Sequence, residues 1–199
     1  MESVAVKLKK RILSKGKGFV FTKSHFLGIG SRVTVAKALE RIADAGEIRR
    51  LARGLYDYPE KHPVLGCLPP NYERIAQALA GRDSLRIQPS GAYAANLLGL
   101  TDQVPAKIVF LTDGANKIVR VNNQQIILKR TTPKNMATAG KISGLVIQAL
   151  RYLGMKNVDN KVIEILKKKL KTEDKQCLIR DLRYAPAWIG GILRELKNK

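Results

Sequence analysis

The chain has 199 residues, 45% of them apolar, which is enough for one domain or two small ones with a packed core and argues against global disorder. Lysine and arginine number 37 against 16 aspartate and glutamate, a net charge of +21 that exceeds what solubility requires and implies a polyanionic partner. No apolar run approaches the roughly 20 residues that span a bilayer, so a membrane partner is not expected. The N-terminal run MESVAVKLKKRIL lacks the uninterrupted apolar core of a signal peptide. Cys67 and Cys177 are too few and too far apart for a disulfide framework, so a cytoplasmic protein with reduced thiols is expected.

In chain order, Val4 to Leu13 form a short helix with Val4, Leu8 and Ile12 on one side and Lys7, Lys9, Lys10 and Arg11 elsewhere. Ser14-Lys15-Gly16-Lys17-Gly18 ends it. These glycines follow a helix and precede a strand, whereas a phosphate loop needs G-x-x-x-x-G-K-[ST] between a strand and a helix, so no nucleotide site is expected. Phe19 to Phe21 read as a strand that could pair with a later hairpin. Thr22 then precedes a brief helix, Lys23 to Leu27, and Gly28-Ile29-Gly30 turns the chain into a longer one.

That longer helix, running on from Ser31, has Val35, Ala38, Leu39 and Ile42 on one face, while Val33, Thr34, Lys37, Arg41 and Asp44 point away. It stops at Gly46. Ile48 to Leu51 and Leu55 to Tyr58 make two extended runs around Ala52-Arg53-Gly54. Helix, strand, helix, turn, helix, hairpin is the order of a winged helix-turn-helix. In that layout the outer helix face enters the DNA major groove and the wing lies along phosphates. The candidate DNA contacts are Arg32, Thr34, Lys37 and Arg41 on the helix and Arg49, Arg50 and Arg53 on the wing, with Lys23 and Ser24 in the short helix.

Pro59, Pro63, Pro69 and Pro70 mark a boundary. The predicted division is a DNA-binding domain over 1–62, a proline-rich linker over 63–70 and a second domain over 71–199. Asn71 to Leu79 form a helix with an Asn cap, Leu85 to Ile87 a brief strand, and Gly91 to Leu98 an alanine-rich helix. Lys107 to Leu111, Ile118 to Val121 and Ile126 to Leu128 are predicted strands, with turns at Thr112 to Asn116 and Asn122-Asn123. From Lys141 the pattern is helical: Ile142, Leu145, Val146, Ala149 and Leu150 share one face, Val162, Ile163, Leu166 and Leu170 another. A last helix with Pro186 in its first turn packs Ile189, Ile192, Leu193 and Leu196 inward with Trp188. The fold class is α+β, a winged helix followed by a mixed domain with a small sheet and a helical end. The charge excess sits mainly at the two ends, +8 over residues 1–62 and +9 over 133–199, against +4 between.

His25 and His62 are the only histidines, and neither has a cysteine or carboxylate at metal-ligand spacing. No G-x-S-x-G context supports a nucleophile, and Glu164 and Glu173 lack a partner acid. The expectation is a protein that is not an enzyme and uses no cofactor or metal. Lys167-Lys168-Lys169 with Lys171 is read first as a solvated face and second as an RNA or DNA contact, so RNA is the alternative partner. Trp188 and Tyr184 are read as core residues rather than base-stacking platforms.

The run G-x-x-S-R-x-T-V-x-K-A-L-E-R-I-x-x-x-G-x-I-x-R-x-x-R-G-L-Y-x-x-P, from Gly28 to Pro59, resembles the N-terminal winged helix of AbiEi-type antitoxins of type IV toxin–antitoxin and abortive-infection systems. The segment P-S-G-A-x-A-A-N-x-L-G-L, Pro89 to Leu100, and A-P-A-W, Ala185 to Trp188, are similar as well. The resemblance implies a winged helix that binds operator repeats of its own operon and represses it. It also implies a C-terminal domain that counteracts a partner toxin of nucleotidyltransferase type without needing to bind it. The chain carries no Gly-Ser followed by paired acids, the mark of that toxin. An ordinary winged-helix regulator and a basic RNA-binding protein are the alternatives.

Overall fold

The computed structural model describes residues 2–81 and 85–197 of the chain, which is α+β. Its residues form two compact units, 1–85 with 119–122 and 86–118 with 123–199.

The first unit opens with helix α1, Val4–Lys15, capped by the Ser3 hydroxyl, which accepts the Val6 N–H. Leu8 and Ile12 are buried, as their four-residue spacing requires. Strand β1, Val20–Thr22, and a 3-10 turn at Lys23–Phe26 lead to helix α2, Arg32–Asp44, whose cap is the Ser31 hydroxyl accepting from the Thr34 N–H. Gly46, at φ 73°, takes the left-handed conformation that lets the chain leave the helix. Strands β2, Arg49–Ala52, and β3, Leu55–Asp57, follow, and the sheet order is β1-β3-β2 with both pairings antiparallel. Val35, Leu39 and Ile42 of α2 join Leu8, Ile12, Phe21, Phe26 and Tyr56 in one core.

The proline-rich stretch is not an open linker. It folds into a small hairpin, β4 (Lys61–His62) and β5 (Gly66–Cys67), closed by the Leu68 N–H donating to the Glu60 carbonyl at 2.8 Å. Helix α3, Tyr72–Ala80, starts at the expected Asn71 cap but packs against β1. The boundary therefore falls at residues 85 and 86 rather than at 63–70. The reason is that α3 has a buried face, Ile75 and Ala76 at 0% exposure, and the first unit supplies the surface that covers it.

The second unit carries strands β6 (Ile87–Ser90) and β7 (Lys107–Thr112), the first two residues of β8 (Lys117–Val121), whose remainder is counted with the first unit, and β9 (Gln124–Arg130); the sheet order is β6-β7-β9-β8. The expected turn at Thr112 to Asn116 does not pair β7 with β8. Instead β9 lies between them, parallel to β7 with Lys107 opposite Gln125. Burial explains the order: β7 buries Ile108, Phe110, Leu111 and Thr112, while β8 exposes Lys117, Ile118 and Arg120 and takes the edge. Between Ser90 and Ile142 run helices α4 (Gly91–Leu97) and α5 (Pro133–Met136). Helices α6 (Ile142–Leu153), α7 (Asn160–Lys169), α8 (Thr172–Arg180) and α9 (Ala187–Lys197) complete the unit. The helical core joins Ala94, Leu98, Val146, Leu150, Leu166, Leu178, Ile189 and Leu193, with Trp188 partly buried against it. Gly144 is required where α6 meets β6, because a Cβ there would overlap the Thr138 carbonyl and the Gln88 amide.

If α3 belongs to the first unit, Ile75→Ala in the full chain should destabilise that unit by about 2–5 kcal/mol. Amide hydrogen exchange along β1 and β3 should speed up. Unchanged exchange there, with faster exchange confined to α3, would place the helix elsewhere.

Candidate nucleic-acid interface

Burial of the Val35, Leu39, Ile42 stripe fixes which side chains α2 can offer. Arg32, Val33, Thr34, Lys37 and Arg41 are all exposed. Arg32, Lys37 and Arg41 form no ion pair with an acid among the described residues. Thr34 is partly committed, its hydroxyl 2.8 Å from that of Ser31 in the cap. Glu40 and Asp44 are exposed on the same helix, one and two turns further along. Positive charge therefore dominates only the N-terminal half of α2, and the C-terminal half is mixed. Val33, 65% exposed beside Arg32, is an apolar side chain at the first turn of the outward face. The sequence places it outward without assigning it a role. On a helix in a major groove such a side chain suits a thymine methyl.

The β2–β3 hairpin divides its arginines. Arg50 and Arg53 are exposed. Arg49, expected among the phosphate contacts, grips Asp57 instead. Its Nε donates to Oδ1 at 3.0 Å and its Nη2 to Oδ2 at 2.6 Å, with a further bond from Nη2 to the Leu68 carbonyl at 3.1 Å. The Asp57 hydrogen bond, partly opposed by burial, raises the Arg49 pKa further. Asp57 is 1% exposed, so the pair is a buried carboxylate satisfied from the solvent side. Arg49 and Asp57 face each other across the ladder, brought into register by a bulge between Arg50 and Ala52.

In the 3-10 turn, Lys23 is exposed, while the Ser24 hydroxyl sits 2.7 Å from that of Thr22. The ring nitrogen Nδ1 of His25 accepts the Thr22 N–H at 3.2 Å, a capping role rather than a solvated one. The structure thus gathers Arg32, Thr34, Lys37 and Arg41 along α2 and Arg50 and Arg53 on the wing, and removes Arg49.

The lysine cluster of the second unit is less available than its sequence suggests. Lys167 lies 3.6 Å from Glu195, and Lys169 donates to the Leu97 carbonyl at 2.7 Å. The other polar constellation there is buried. Ser143 donates to Asp181 Oδ2 at 2.5 Å, Lys141 approaches at 3.2 Å, and the Cys177 thiol lies 3.7 Å away. With Ser143 at 0% and Asp181 at 4% exposure, no substrate reaches this hydroxyl, and the cluster ties α8 to the start of α6. Among the described residues no three His, Cys, Asp or Glu side chains are placed to hold a metal ion, and no helix is long and apolar enough to cross a membrane.

A family match extends over residues 7–178. The chain belongs to DUF6088, a family of unknown function. The DUF6088 span begins within α1 and ends within α8, so it takes in α2, the β2–β3 hairpin and strands β6 to β9 and leaves α9 outside. No curated protein matches the chain.

The buried cluster has a pH signature. Burial pushes the Asp181 carboxyl up, but hydrogen bonds from Ser143, Lys141 and Cys177 and the Lys141 charge together outweigh it and hold the pKa below its ordinary 3.8. A depressed carboxylate contributes stability above its unfolded pKa and loses it as pH falls through the folded one. Asp181→Asn should therefore cost about 1–3 kcal/mol at neutral pH. The gap to the parent chain should narrow once pH drops below 3.8. Urea unfolding at several pH values checks this, and a gap that widens on acidification would reverse the assignment.

Proposed function

We propose that the chain is a transcriptional repressor that binds duplex DNA through a winged helix, α2 being the recognition helix and the β2–β3 turn the wing. The observation that carries this is the sheet order β1-β3-β2 built around a helix whose buried stripe leaves Arg32, Val33, Lys37 and Arg41 outward. Recognition helices contact base edges mainly with their N-terminal residues, which is where the positive charge of α2 is least opposed. Lys37 and Arg41 serve phosphates or base edges, Arg50 and Arg53 the flanking backbone, and Arg49 holds the wing in place without touching DNA.

The resemblance to AbiEi-type antitoxins extends this to an autorepressor that also counteracts a nucleotidyltransferase-type toxin encoded beside it, with no direct toxin contact required. The similar segments in the second unit lie in its framework: Ala94 and Ala95 are fully buried, and the Ser90 hydroxyl donates to Gln148 at 3.2 Å. They support a shared fold for the antitoxic domain rather than a shared contact surface. A neighbouring reading frame with the nucleotidyltransferase signature is the cheapest check. Co-expression of its product with the full chain should restore growth, and arrest that persists while the chain accumulates would leave a DNA-binding regulator without an antitoxin role.

For the DNA interface, Lys37→Ala and Arg41→Ala should each weaken binding to the DNA upstream of the gene while leaving the unfolding transition in place. A lost phosphate contact should flatten the salt slope by about one unit, and a lost base contact should cost about 1–3 kcal/mol at one position. Fluorescence anisotropy at several salt concentrations distinguishes them. Unchanged affinity in both variants would remove α2 from the interface.

A further inference from the structure

Duplex recognition by α2 and the wing leaves the most basic part of the first unit unused. Lys7, Lys9, Lys10, Arg11, Lys15 and Lys17 fall within the first seventeen residues, where Glu2 is the only acid. Lys9 is paired with Glu47 and Lys10 with Glu2. Lys7, Arg11 and Lys15 are exposed, and among the described residues none of them has an acidic partner. They sit four residues apart, which sets them in one row along α1 with steps of about 5–6 Å.

The row borders concave surface. One hollow of about 360 Å³ lies among Lys7, Arg11, Ile29 and the Glu2–Lys10 pair, whose charges offset each other, and another of about 180 Å³ lies between Arg11, Lys15, Phe19 and His25. A third, about 270 Å³, carries on past Lys15 and Phe19 to Lys17 and Arg74. Adjacent hollows share Arg11, then Lys15 and Phe19, so they follow one another along α1 as a groove segmented by those side chains. Its floor is aromatic and braced. The half-buried Phe19 ring stacks on Phe21 with centroids 5.1 Å apart, and the His25 ring meets it edge-on at 6.0 Å.

We propose that this groove binds a single-stranded nucleic acid, with its backbone along Lys7, Arg11 and Lys15 and a base against Phe19. A single file of unpaired cations matches one phosphate chain, and an aromatic ring inside a hollow suits an unstacked base, which a duplex does not present. A lipid surface fits less well: the exposed apolar residues of α1, Val6 and Leu13, lie on the far side of the helix from the row. The site is separate from the proposed duplex interface and does not depend on it.

The test uses the full chain with labelled oligo(U), labelled oligo(dT) and the upstream duplex. Oligomers of about 15 nucleotides cover the range of single-strand site sizes. The double variant Arg11→Glu, Lys15→Glu should weaken single-strand binding at least ~10-fold while duplex affinity stays within about 2-fold. Phe19→Leu should weaken it by about 5-fold or more, through lost stacking. Lys37→Ala, Arg41→Ala should spare it; thermal unfolding of the charge variants should match the parent, and Phe19→Leu, which loses packing on Phe21, is compared at a temperature where it is fully folded. Preference for oligo(U) or for oligo(dT) assigns the ligand as RNA or DNA in the same groove. Absence of single-strand binding by the parent chain overturns the proposal. So does a charge-reversal variant that binds single strands normally, or one that loses duplex and single strand together.

Discussion

A helix of thirteen residues has one face to bury, and in α2 the face is taken by Val35, Ala38, Leu39 and Ile42. Seating that stripe against Leu8 and Ile12 of α1 and Phe21 and Tyr56 of the sheet sets the rotation of the helix about its own axis. Every outward side chain follows from that rotation, Arg32 and Lys37 as much as Glu40 and Asp44. The β2–β3 hairpin depends on the same packing, because β3 places Tyr56 in the core and Asp57 under Arg49. Removing one partner from that pair would leave a charge without its counter-ion in a nearly closed site, a penalty larger than the pair's own net contribution. The arginine that looks most like a DNA contact by position is thus the one the fold cannot release.

Charge is spread over the chain unevenly, and the structure sorts it into three kinds. Some cations are consumed by structure: Arg49 on Asp57, Arg86 on Asp113 at 2.9 Å, Lys141 on Asp181. Others face acids across a surface, such as Lys9 with Glu47, and contribute little to stability. The remainder stay unopposed, and in the first unit they gather at the first turns of α2, at the β2–β3 turn and along α1. Only this last class is available to a polyanion, so the net charge of +21 overstates the binding surface.

Amphipathic segments were legible in the sequence because burial and periodicity carry the same information: the faces of α1 and α2, the Asn71 cap and the inward Ile189 and Leu193 all follow from spacing alone. What could not be read was partnership at a distance. Ile75 and Ala76 announce a buried face on α3 but not that β1 covers it. The apolar β7 and the charged β8 are adjacent in sequence, yet β9 enters between them because the interior of the sheet goes to the strands that bury most. Arg49 is an intermediate case: the hairpin follows from the sequence, but the bulge between Arg50 and Ala52 that sets Arg49 opposite Asp57 does not. The groove along α1 was hidden for a different reason: the row of Lys7, Arg11 and Lys15 is visible in the sequence, but Phe19 and His25 come alongside it only in the folded unit.

In the proposed function, α2 and the β2–β3 turn form the duplex interface. Titrating the isotopically labelled full chain with its upstream duplex, and following backbone amide shifts by NMR, tests it most directly. The account requires the largest changes at Arg32 to Arg41 and around Arg50 to Gly54, with the Arg49 side-chain signal nearly still. Changes concentrated instead on Lys161 to Lys171, with α2 silent, would contradict it.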